Sequence, residues 1–235
     1  MSAAPRAAGR AFAVLTGDLV ASRQLSAERL ERTRACLAAG AAQFGRRQPR
    51  ALCGMPEVFR GDAWQLLLNE PRWALRLALL IRALLLARHD VRTRVSIGIG
   101  AVEVVNRRRI SLSTGEAFTL SGHALDHITG HFDLTGALPE RAAPLERWFP
   151  AMLHLCSGLV RPWTRRQAEI VSLALLADNP THESIAGSLR PRVSKQSVTE
   201  SLAAARWRPL LEGIRVFEQT DWDSLAGLSA LRQAD

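Results

Sequence analysis

Between Val58 and Asn69 a Gly61-Asp62 pair separates two apolar runs, and helical spacing flanks the stretch on either side. Gly-Asp between apolar runs is turn chemistry, so the segment reads as a β-hairpin. A hairpin set between two helices leaves few folds open. Upstream, residues 11–20 (AFAVLTGDLV) form an apolar run bounded by turn residues, as a buried strand does. Ser26 suits an N-cap, and Leu30, Leu37, Ala41 and Phe44 keep helical spacing through residues 27–44. Downstream, residues 71–89 predict a helix with Pro71 in its first turn. Residues 94–105 (RVSIGIGAVEVV) then alternate as a strand does, with Gly98 and Gly100 permitting close backbone approach. A loop entering a helix over 113–128 and a short strand over 131–134 complete the order β-α-β-β-α-β-α-β. Its first six elements match the split βαβ, ferredoxin-like pattern.

The rest of the chain changes character. Residues 143–160 predict a connecting helix that Arg161-Pro162 punctuates, and everything from Trp163 onward reads as helical. The expected class is therefore α+β: a ferredoxin-like palm domain over 1–140, a connecting helix over 141–162, and an all-α tri-helical domain with a helical tail over 163–235.

A formal net charge of +9 fits either a polyanionic partner or a generally solvated arginine surface. Lys195 is the one lysine among 31 basic residues, a skew that also fits a GC-rich genome. Cys36, Cys53 and Cys156 are odd in number and far apart, which predicts reduced thiols and a cytoplasmic setting. The most apolar stretch, 73–87, is cut by Arg76 and Arg82, so no membrane segment is expected.

A palm of this kind brings the end of its first strand beside the turn of its central hairpin. Those places carry Asp18 and Asp62. Two carboxylates there can share Mg²⁺ or Mn²⁺, and the cations can hold a triphosphate. Taken singly, each aspartate is equally well a turn or capping residue. Ser22, Arg23 and Arg60 are candidate phosphate contacts, with helix capping (Ser22) or ordinary surface exposure (Arg23, Arg60) as the alternative. His123, His127 and His131 recur every four residues, a spacing that fits a partner-facing stripe or a transition-metal site. Glu116 reads as a first-turn acid favoured by the helix dipole.

The blocks TGDLVASRQL, FRGDAWQLLL, RVSIGIGAVEV and STGEAFTLSGHALD resemble the SatD family over roughly residues 11–130. More distantly they are similar to class III nucleotidyl cyclases. The cyclase resemblance implies Asp18 and Asp62 as metal ligands. It also implies a helix carrying an Asn and, four residues on, an Arg that stabilise the transition state. Thr119 and His123 stand at those positions; the spacing is kept, but histidine lacks the permanent charge and phosphate-matching fork of arginine.

Residues 163–207 are laid out as a tri-helical helix-turn-helix resembling that of sigma region-four and LuxR-type regulators. Thr164 and Gln167 predict a capping box, and Thr181 and Ser194 predict caps for the next two helices. The turn Arg190-Pro191-Arg192 is longer than that pattern has. Ser194, Lys195, Gln196 and Thr199 would face bases, whereas Arg165, Arg166, Arg190 and Arg192 would meet phosphates. From Arg161 to Arg208 there are eight Arg and Lys against four Asp and Glu, a net of +4. Three functions are compatible with this layout. One is a homodimeric DNA-binding regulator that senses a nucleoside triphosphate or cyclic nucleotide with divalent metal. The others are a nucleotidyl cyclase or related nucleotidyltransferase, and a ligand-free palm serving as a dimerisation scaffold.

Overall fold

The computed structural model describes residues 9–59, 61–177 and 180–228. It is a mixed α+β structure with one five-stranded sheet. Strand β1 (Phe12–Leu19) is followed by helix α1 (Ala27–Arg47), the hairpin of β2 (Glu57–Phe59) and β3 (Ala63–Leu68), then α2 (Ala74–His89) and β4 (Thr93–Gly100). Helix α3 (Glu116–Asp126), β5 (Leu134–Ala137) and α4 (Leu145–Val160) follow. The sheet order is β2-β3-β1-β4-β5, antiparallel except for β4 with β5. The first four strands thus take the order that the split βαβ pattern dictates.

Period-two alternation sends β1 in two directions. Ala13, Leu15 and Leu19 join the cluster under α1 and α2, whereas Phe12 and Val14 join a smaller cluster with Ala117 of α3. Helix α1 begins where Ser26 accepts the Arg29 amide, as its sequence predicts. Helix α2 is apolar on nearly every side because it is enclosed, with the sheet and α1 against it and helix α5 (Arg165–Leu176) along it. Its Arg82 is buried and pairs with Asp133 at 2.6 Å, while Arg76 pairs with Glu218 near the C-terminus. Among the described residues no helix is long and apolar enough to cross a membrane.

Two strand assignments shift. The strand expected over 94–105 ends at Gly100, because the Ala101 amide turns out to Glu116 Oε2 at 3.1 Å and its carbonyl accepts the Ala117 amide. The strand expected over 131–134 starts only at Leu134, since Phe132 closes a turn back to Thr129 and the Asp133 amide donates to Ser157 Oγ instead of to a neighbouring strand.

Three capped helices follow α4. Thr164 and Gln167 form the capping box of α5, Thr181 caps α6 (His182–Ser188), and Ser194 caps α7 (Lys195–Ala204). Helices α8 (Trp207–Gln219) and α9 (Trp222–Leu225) return to the sheet, where Phe217 packs tilted and Trp222 edge-on against Phe149 of α4 and Asp223 accepts the Ala11 amide. One hydrophobic cluster runs from β1 and α2 through α5, Ile185, Val198 and Leu202 to Phe217.

Candidate functional site

Backbone register places the two aspartates together. Asp18 lies one residue from the end of β1, and the Leu19 amide donates to the Asp62 carbonyl in the β2–β3 turn. Gly17 permits this crossing, because a Cβ there would meet the Trp64 ring and the Arg94 carbonyl at 2.5 and 2.6 Å. After β1 the chain bends through Ala21 in the left-handed region into a short 3₁₀ turn, Ser22–Gln24. Asp18, Ser22, Arg23 and Asp62 consequently line one open cavity of about 500 Å³.

Arg92, Arg94, Phe132, Asp133 and Arg161 line the same cavity. Arg94 sits directly opposite Asp18 across β1 and β4, and its Nε donates to Asp18 Oδ1 at 2.9 Å while Nη2 pairs with Oδ2. A bidentate fork of this kind is the strong form of such a pair. That hydrogen bond, with burial opposing it, holds the Arg94 guanidinium above its ordinary pKa. Asp62 Oδ2 accepts the Ser22 hydroxyl at 2.5 Å. Asp133 is engaged by Arg82 from beneath. Four arginines thus face three carboxylates around one opening, which suits an anion bound beside a cation.

Among the described residues no group of three or more His, Cys, Asp or Glu side chains is arranged to hold a metal ion. Mg²⁺ needs only one or two carboxylates when phosphates and water complete its octahedron, and Asp18 with Asp62 fits that requirement.

Thr119 and His123 share the exposed surface of α3 and neither lines the cavity. The Thr119 hydroxyl turns to the Gly115 carbonyl, and the His123 carbonyl accepts from His127. His131 lies beyond the helix in a turn, so the three histidines do not continue as one helical stripe. Glu116 is more than a first-turn acid: it takes a two-point contact from Arg141 and the Ala101 amide, joining α3 to the segment before α4. Arg60 lies outside the described residues. Arg92, Arg94, Asp133 and Arg161 were not singled out in the sequence. Only Arg94 had a legible signal, since pairing β1 with β4 puts it opposite Asp18.

On α7, Ser194, Lys195, Gln196 and Thr199 are all exposed on its first turns. Gln196 reaches Glu200, and Thr199 bonds back to Lys195 and to His182. Arg192 and Lys195 are exposed with no side-chain partner among the described residues. The remaining arginines are engaged: Arg165 with the Ala87 carbonyl of α2, Arg166 with Glu169, and Arg190 with the Gly187 and Leu189 carbonyls.

The sheet and cavity define an α+β protein with a mixed acidic and arginine-rich opening beside its central hairpin. No protein-family model and no curated protein matches the chain. Among solved structures, "Crystal structure of the guanylyl cyclase Cya2" is similar at 15% identity and TM-score 0.38, covering 55% of this chain and 77% of that one. A likeness of that size carries no argument about function.

Proposed function

We propose that this protein is a homodimeric DNA-binding regulator whose palm domain, residues 1–140, binds a nucleotide together with Mg²⁺ or Mn²⁺. The gathering of Asp18, Asp62, Ser22 and Arg23 with Arg92, Arg94 and Arg161 around one cavity supports the nucleotide half. Two carboxylates take part of a cation's coordination shell, and guanidinium groups take the phosphates. The cation and Arg94 compete for Asp18, so the metal enters with a phosphate that draws Arg94 away. A free cation alone has little to gain there. The domain boundaries (141–162 connecting, 163–235 helical) and the likeness to the SatD family belong to the same reading.

The DNA half rests on the arrangement of α5, α6 and α7. Each is capped, they pack on one another, and the N-terminal turns of α7 face outward with Lys195 and Arg192 unengaged. That is the geometry a recognition helix needs to enter a major groove. Nucleotide occupancy would alter how two such helices are spaced in the dimer. The cyclase alternative is favoured by the aspartate pair and opposed by Thr119 and His123 standing outside the cavity on an exposed helix.

One set of titrations tests both halves. Binding of ATP and GTP is followed with and without Mg²⁺, and duplex DNA from the protein's own upstream region is titrated by fluorescence anisotropy over a range of salt. Nucleotide binding should require Mg²⁺ and disappear in Asp18→Asn and Asp62→Asn. DNA binding should weaken with salt and in the Lys195→Ala/Gln196→Ala double variant. Equal nucleotide binding in all variants refutes the cavity assignment, and equal DNA binding refutes the α7 assignment. Release of pyrophosphate with a cyclic product would instead establish the enzyme.

A further inference from the structure

Helix α4 has two apolar faces, and only one of them is used. Phe149, Leu153, Cys156 and Val160 are buried against the sheet and the C-terminal helices. On the opposite side Trp148 is 69% exposed and Leu155 74% exposed. Exposed apolar side chains are ordinary when scattered singly and informative when they line up into one patch. Here they are aligned. Trp148 and Leu155 are seven residues apart, and Ala151 and Gly158, both exposed, fall three residues after each. Leu145, Met152 and Leu159 run beside them at the same seven-residue interval, half-buried or partly exposed. A strict seven-residue repeat is the seam of a coiled coil rather than the wider stripe of a helix lying on its own core.

The order of large and small residues along this seam identifies its occupant. Trp148 and Gly158 are five residues either side of Leu153, and Ala151 and Leu155 are two residues either side of it. A second copy of α4 laid antiparallel with its dyad at Leu153 therefore sets each large side chain over a small one. Trp148 covers Gly158 of the other copy, and Leu155 covers Ala151. At Gly158 there is open space for a neighbour, since nothing lies within 4 Å of where a Cβ would be. A two-fold contact requires a patch to complement itself, and an arbitrary foreign helix has no reason to share this pattern. We infer that the outer face of α4 is a self-association surface, on which two copies pair antiparallel about Leu153. The inference deepens the homodimer in the reading above by assigning its interface.

Area sets the class of contact. A pair of helices of this length removes roughly 500 Å² of surface per copy, so about 1,000 Å² in total, at the lower limit for a specific interface. Contacts of that size belong with transient associations, so the expected state is a monomer–dimer equilibrium. One flank of the pair is apolar (Leu145, Met152 and Leu159 of each copy). The other brings Arg147 of one copy toward Arg161 of the other. Salt screens that repulsion, so self-association should tighten as salt rises, the opposite of DNA binding.

Sedimentation velocity of the full chain across micromolar concentrations tests the surface, with Leu155→Glu as the disrupting variant. The parent should show a concentration-dependent dimer, and Leu155→Glu should weaken it at least about tenfold, equivalent to about 1.4 kcal/mol. Because Leu155 is exposed in the monomer, the variant should melt with the monomeric parent; a lowered melting point would mean the face is covered within its own chain and would overturn the proposal. The register is read by crosslinking under a mild oxidant. Ala151→Cys protein mixed with Leu155→Cys protein should crosslink faster than either alone, the three native cysteines being buried. Faster crosslinking of each variant with itself would overturn the antiparallel register. A parent that stays monomeric overturns this surface and the homodimer together. A dimer untouched by Leu155→Glu overturns the surface alone.

Discussion

Replacing Arg82 by Met should cost this protein more stability than any single change at its surface. The Arg82 side chain is 1% exposed and that of Asp133 9%. The guanidinium donates to Asp133 Oδ2 at 2.6 Å and to the Thr93 carbonyl at 3.0 Å, while its Nε finds no partner. Burial pushes the Arg82 pKa down and Asp133 opposes that push, so the charge is kept by its partner. Methionine fills much the same linear volume but removes the guanidinium that bonds Asp133 Oδ2, leaving that buried carboxylate only the more distant arginines of the cavity rim. Removing one member of a buried pair costs about 3–5 kcal/mol. For a chain of this size each kcal/mol lowers Tm by roughly 2–4 °C, so the variant should melt about 6–20 °C below the parent. The double variant Arg82→Met/Asp133→Leu should recover most of the loss, because exchanging a buried pair for apolar groups of similar volume is close to neutral. Urea denaturation followed by far-UV circular dichroism, together with thermal melts of the parent, both single variants and the double variant, closes the cycle. If Arg82→Met costs under about 1 kcal/mol, or the double variant is no better than the worse single one, the charge is not held in the way described.

Three further outcomes rest on the same kind of reasoning. Burial would raise the Glu116 carboxyl, but the Arg141 fork and the Ala101 amide together hold it below the ordinary range. Its contribution to stability is therefore complete above the ordinary carboxylate pKa and is lost as pH falls through the lowered one; Glu116→Gln should flatten that part of the acid limb in pH-dependent melts, and an unchanged limb would refute the assignment. Gly98→Ala should destabilise by at least about 1–3 kcal/mol, because its Cβ would stand 2.5 Å from the Ser121 amide nitrogen and closer still to the Ala117 carbonyl. Gly122→Ala, with nothing within 4 Å and inside the same α3, should instead stabilise by up to about 1 kcal/mol in the same denaturation assay.

What the sequence determined by itself was local and periodic. The hairpin signalled by Gly61-Asp62 and the Ser26, Thr164, Thr181 and Ser194 caps all depend on neighbours a few residues away, and each formed where its chemistry required. The adjacency of Asp18 and Asp62 was legible too, because a split βαβ order leaves a hairpin turn no other place to go. Tertiary structure decided the rest, since it depends on groups distant in the chain. Arg94 is 76 residues from the Asp18 it clamps, and Arg76 is 142 residues from Glu218. No local rule pairs such residues. The end of β4 at Gly100 was likewise set from outside, by Glu116 capturing the Ala101 amide. The cavity's charge was also a tertiary result: the sequence supplied two acids for a cation, and the folding of β4 and α4 around them brought Arg92, Arg94 and Arg161 to the same opening. Coulomb interaction acts through space, so it is the packed sheet that turned an aspartate pair into a mixed acidic and basic opening.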